Sequence, residues 1–138
     1  MLCLSRKVSY ALVGLAYLAQ NEAQVLCARE VAQATALPLP LLMSILKKLH
    51  RQGVLSGVRG ARGGYRLAAD LDQVSLFDLI VLLEDMATLR NADGNGHGPV
   101  QALHYKLIRF LRDVKVSDLV IPGRRIDVPI ELLAAGAP

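Results

Sequence analysis

Residues 57–67, GVRGARGGYRL, place three arginines and four glycines within eleven positions. Two chemistries would use such a run. Glycine backbone can wrap a phosphate at the start of a helix, or it can let a hairpin turn tightly while arginines at its tip face a polyanion. The first requires a GxxxxGKS/T pattern leading into a helix. That pattern is absent, and GYRLA after the glycines reads as a strand, so a hairpin is expected. The charge distribution agrees. Val31 through Ala69 contains six Lys or Arg (Lys47, Lys48, Arg51, Arg59, Arg62, Arg66) and no Asp or Glu, whereas the rest of the chain holds ten basic and twelve acidic residues. A segregated positive block of this kind points to a polyanionic partner, nucleic acid first.

Other chemistries find less support. No nucleophile and base share a suitable spacing, no paired carboxylates are supported, and no dinucleotide fingerprint occurs, so an enzyme is not expected. Cys3 and Cys27 are too few for a disulfide framework and lie outside CxxC spacing, which suggests inert thiols in a reducing cytoplasm. The apolar stretch VSYALVGLAYLA at 8–19 superficially resembles the core of a secretory signal. Twelve residues are too short to cross a bilayer as a helix, and the expectation is a buried helix with no membrane role.

These groups need elements to position them. Ser5 is placed to cap a first helix running to about Gln20, nearly apolar all round, with Tyr10, Val13, Ala16 and Tyr17 as inward candidates. CAREVAQATAL at 27–37 predicts a short helix with Val31 and Ala34 on one side. A second helix is expected within 37–55, with Pro40 in its first turn, Leu42, Ile45, Leu46 and Leu49 inward, and Gly53 ending it. Two short helices with a brief turn, the second carrying Lys47, Lys48, His50 and Arg51 outward, form a helix-turn-helix pattern. The glycine-rich hairpin that follows reads as its wing.

Ser75 and Asp78 have capping-box spacing for a helix bearing Leu76, Leu79, Ile80 and Leu83, expected beneath the wing. NADGNGHG at 91–98 reads as a loop. Pro99 opens a further helix with Val100, Leu103, Leu107, Leu111 and Val114 at three- and four-residue steps. This stripe arrives after the small winged unit is complete, so a second subunit is its economical cover.

In three places the chain resembles the IscR, NsrR and CymR type of bacterial winged-helix regulator, the Rrf-two (Rrf2) family. These are SRKVSYAL at 5–12, the block from REVA to VRGARGGYRL at 29–67, and VSDL at 116–119. The resemblance implies a dimer whose recognition helices enter successive major grooves and whose wing arginines reach the minor groove. Arg59 then occupies the wing-arginine position, assisted by Arg62. Many relatives carry a Glu-Gln pair at the start of the recognition helix; this chain has Met43 and Ser44 there, preceded by Pro38, Pro40 and Leu41, which suits thymine methyl groups better than hydrogen-bonded readout. Cluster-binding relatives place three cysteines before the long helix, but NADGNGHGPVQALHY has none, so an iron-sulfur cluster is not expected. His97, with Asp93 and His104 nearby, or Cys3, are weak candidates for a replacement metal site.

The chain is therefore expected to be mainly α with a small β-hairpin. Residues 1–86 would form a winged helix-turn-helix domain, 87–98 a flexible sensor-type loop, 99–120 the dimerisation region and 121–138 a tail. The expected function is a homodimeric, sequence-specific repressor that binds double-stranded DNA, dimerises through about 99–115 and answers an unknown small-molecule or protein effector, without a cofactor. Its expected DNA contacts are Ser5, Lys7, Pro38, Pro40, Leu41, Met43, Ser44, Lys47, Lys48, Arg51, Arg59 and Arg62. The alternatives are a winged-helix module acting through a protein partner, or a regulator with a non-cysteine metal site.

Overall fold

The computed structural model of the chain describes residues 4–86 and 98–123. Cys3, Asp93, His97, the loop at 87–97 and the tail from 124 onward lie outside the described residues. Among the described residues, six helices and one hairpin follow in order: α1 (Arg6–Gln20), α2 (Ala28–Thr35), α3 (Leu39–Arg51), β1 (Leu55–Val58), β2 (Gly64–Leu67), a 3-10 turn (Leu71–Gln73), α4 (Leu76–Leu83), α5 (Pro99–Asp113) and α6 (Val116–Val120). The mainly helical class with one small hairpin is as expected.

The Ser5 hydroxyl caps α1 by accepting from the Val8 N–H at 3.3 Å. The helix buries Val8, Ala11, Gly14, Leu15 and Leu18. Its expected inward face holds in part: Tyr10, Ala16 and Tyr17 pack half-buried against the core, whereas Val13 is exposed. A helix apolar on every side has no polar face from which to read its orientation. In α2, Val31 is buried as expected, but its buried neighbour is Ala32, and Ala34 is exposed. The stripe of α3 is as read, with Leu42, Ile45, Leu46 and Leu49 all fully buried. Gly53, at φ 79°, ends that helix in a left-handed conformation that disfavours side chains.

β1 and β2 pair antiparallel in the register Leu55↔Leu67, Ser56↔Arg66, Gly57↔Tyr65, Val58↔Gly64. A third segment joins them. Leu26 bridges Tyr65, its N–H donating to the Tyr65 carbonyl at 3.0 Å and its carbonyl accepting from the Tyr65 N–H at 2.7 Å. The wing is thus tied by backbone to the residues just before α2. Close approach here requires glycine, because a Cβ on Gly64 would stand 2.3 Å from the Leu26 carbonyl oxygen.

The capping box of α4 forms as spaced: the Asp78 N–H donates to Ser75 Oγ at 3.0 Å and the Ser75 N–H to the Asp78 carboxylate at 3.2 Å. Its position differs from expectation. α4 packs on α1, α3 and α5 instead of beneath the wing. Leu76, Leu79 and Leu83 join the core, with Ile80 packed at its margin. At the far end of α5 the chain returns to this core. Val114, Val116 and Val120 belong to the same apolar cluster as α1 and α3, and a backbone bridge links Ser75 to Lys115. Ser117, buried in α6, donates to Asp72 at 2.5 Å, which fastens α6 to the 3-10 turn.

Among the described residues, the outer side of α5 has no such cover. Val100 is 65% exposed and Leu103 56%, and Tyr105, Leu107 and Phe110 are also exposed. Arg112 stacks over the Phe77 ring at 4.8 Å and so fixes the other end of the helix to α4.

Candidate nucleic-acid interface

The core stripe of α3 leaves its opposite side to solvent, where Pro40, Met43, Ser44, Lys47 and Arg51 are exposed. Beside it stands the wing, with Arg59 and Arg62 exposed at the tip between β1 and β2. The tip turns at Gly60, φ 113°, and at Gly63, where a Cβ would lie 2.3 Å from the Val58 carbonyl oxygen. Among the described residues no carboxylate pairs with Lys47, Arg51, Arg59 or Arg62. Unpaired and exposed, these four cations make one positive surface available to a polyanion.

A cleft of about 390 Å³ lies between helix and wing, lined among others by Met43, Lys47, His50, Gly57, Arg59 and Tyr65. The His50 and Tyr65 rings meet edge to face with centroids 5.9 Å apart. His50 also lies against Gly57, where a Cβ would be 3.1 Å from Nε2. The wing is therefore held at two places, by the backbone bridge to Leu26 ahead of α2 and by the aromatic contact with α3 floored by Gly57. His50 was read only as an outward residue; the pairing of Gly57 with Tyr65 was the signal that a side chain from α3 fits there.

Two expected contacts are engaged elsewhere. The Lys48 ammonium turns to the end of α4, donating to the Leu83 carbonyl at 3.3 Å and to Asp85 at 3.1 Å. Besides capping α1, the Ser5 hydroxyl donates to the Glu84 carboxylate. Pro38 and Lys7 are exposed, the latter in the first turn of α1, and Leu41 is partly buried against the core.

Cys27 precedes α2 and lines the cleft. Its backbone N–H donates to the Glu30 carboxylate at 2.7 Å. That hydrogen bond, then one from the Cys27 side chain, holds the Glu30 carboxyl below its usual range. His104 is exposed on α5, and among the described residues no trio of His, Cys, Asp or Glu gathers around a common point for a metal ion.

A helix-turn-helix with an antiparallel wing, carrying an unpaired basic face across both, defines the winged-helix class of transcriptional regulators. The Rrf2 family model, described as an iron-dependent transcriptional regulator, matches residues 4–120. The chain belongs to that family. It is 38% identical over 81 residues to an HTH-type transcriptional regulator of Aquifex aeolicus, covering 59% of this chain and 56% of the relative. With BadM of Rhodopseudomonas palustris, named as an HTH-type transcriptional regulator, identity is 33% over 103 residues, 74% of this chain and 65% of BadM. The chain thus spans less than two thirds of either relative. The solved structure of CymR, the global cysteine regulator of B. subtilis, superimposes with a TM-score of 0.68 at 24% identity, covering 87% of this chain and 97% of CymR. That likeness concerns the fold. No described helix is long and apolar enough to cross a membrane.

Proposed function

We propose that this protein is a homodimeric, sequence-specific DNA-binding repressor that works in the cytoplasm without a conventional iron-sulfur cluster and without catalytic activity. The observation that carries the reading is the acid-free positive surface continuous from α3 to the wing tip. α3 enters the major groove, where Pro40 and Met43 offer apolar contacts for thymine methyl groups and Ser44 a hydrogen-bonding hydroxyl. Lys47 and Arg51 contact phosphates. Arg59 reaches a neighbouring minor groove, where narrow width concentrates negative potential, and Arg62 supports it or contacts phosphate. The exposed apolar side of α5 supports dimerisation, with two recognition helices on half-sites about one helical turn apart.

The family's description as iron-dependent is met here by a donor set that does not fit a thiolate-held cluster. The chain has two cysteines, too few to hold a cluster by thiolates alone, and Cys27 lines the cleft beside α3. Regulation then rests on an effector other than a cluster.

Selection from random DNA tests the reading. An enriched, roughly palindromic site spanning about two helical turns is expected, with affinity falling steeply with salt. Lys47→Gln and Arg59→Ala should both weaken its retention. Failure to enrich any sequence, together with weak, salt-insensitive binding, would point instead to a winged-helix module that docks on protein.

A further inference from the structure

Lys48 and Asp85 stand at the edge of the recognition surface. Lys48 borders the same shallow face of α3 as Pro40, Met43, Ser44, Lys47 and Arg51. Its ammonium nevertheless leaves that face for Asp85, at 3.1 Å, and for the Leu83 carbonyl, at 3.3 Å. Asp85 is held in place by backbone. It follows α4 in a left-handed conformation, φ 53°, and the next N–H, of Met86, donates back to the Val81 carbonyl at 3.1 Å. A fixed turn thus carries a carboxylate to the flank of the recognition helix, whose own stretch of chain, Val31 through Ala69, contains no acid.

The pair is easily broken. The Asp85 side chain is 79% exposed and that of Lys48 27%, and an exposed pair of this kind attracts only weakly in water. Lysine is a compact charge on a flexible stem with three donors, so it can swing from α4 to the solvent face of α3 without moving backbone. A duplex phosphate array, with its condensed counterions, is a stronger competitor than one hydrated carboxylate.

We propose that Asp85 is a positioning residue that holds Lys48 away from the DNA backbone, so that releasing the pair adds one phosphate contact per protomer and tightens operator binding. The inference rests on the DNA-binding reading above. It goes beyond it by assigning a restraining role to a residue outside the helix-turn-helix and the wing.

The test uses the full chain and the operator recovered by selection, with binding measured across a salt series for the wild type, Asp85→Asn, Lys48→Gln and the double variant. Asn tolerates the left-handed turn, and Asp85→Gly, which favours it, is the second variant should Asp85→Asn melt early. Asp85→Asn is expected to bind about two- to five-fold tighter. Its plot of log K against log salt should steepen by about 0.9 per protomer. In the Lys48→Gln background both gains should vanish. Wild-type affinity and slope in Asp85→Asn overturn the proposal. So does an equal gain in the double variant, which would reflect general removal of negative charge. A wild-type protein that retains no selected DNA overturns the DNA-binding reading itself, and this inference with it.

Discussion

The surface formed by α3 and the wing and the surface formed by α5 are both uncovered, by opposite chemistry. The first exposes cations with no carboxylate partner among the described residues and little hydrocarbon beyond Met43 and Val58. The second exposes a row of hydrocarbon, Val100, Leu103, Leu107 and Phe110, on a helix whose other end is anchored in the core through Val114. Their mechanics differ as well. The wing is tied by the Leu26–Tyr65 backbone pair and the His50–Tyr65 contact, so the backbone that carries its arginines is pre-placed and only their side chains must be ordered on association. Among the described residues, the amino-terminal end of α5 has no comparable support. A solvated cation is stable without a partner, whereas an exposed apolar stripe is costly in water, so the two faces await different things.

The comparison breaks most visibly at α5. Leu103→Asp with Leu107→Asp should give a monomer by analytical ultracentrifugation and lower operator affinity about 100-fold or more, because two linked half-sites lose their effective concentration. A monomeric variant that binds at full strength would separate the two faces entirely. Next in size is Gly64→Ala. Its Cβ meets the Leu26 carbonyl oxygen at 2.3 Å, backbone against side chain. Thermal unfolding should show a loss of about 1–3 kcal/mol as the wing detaches or strains. Arg59→Ala, by contrast, should leave the melting temperature unchanged and weaken operator binding by about ten-fold, with reduced preference for A·T-rich flanks in a competition assay. An equal loss on every flank would make Arg59 a phosphate contact only.

The smallest expected effect concerns Glu30. Its carboxyl titrates lower in the folded chain than in the unfolded one, because Cys27 hydrogen-bonds the ionised form. The sign follows: the contribution is present above the unfolded value and lost as pH falls through the folded one. Glu30→Gln should therefore flatten the acid limb of a stability-versus-pH curve slightly, without altering DNA binding at neutral pH.

Much of this was legible in advance for reasons that can be named. The stripe of α3 was readable because its cations and leucines fall on opposite sides, and the α4 capping box because Ser75 and Asp78 are local partners. The wing was readable because glycines bracket two short runs. The face of α1 was legible only in part, since its apolar residues encircle the helix and Val13 is chemically indistinguishable from Val8. Lys48 looked like its neighbour Lys47. Only the arrival of Asp85, thirty-seven positions later, separates them, and that depends on where α4 packs.

By itself, then, the sequence determined the class of fold, the basic segment and the amphipathic character of α5, because each follows from local spacing and composition. The tertiary structure decided which of those cations remain free, what ties the wing to α2 and α3, and how far α5 stands clear of the core. Those outcomes depend on contacts between residues distant in the chain, where one added Cβ at Gly64 or one carboxylate at Asp85 changes what a surface can do.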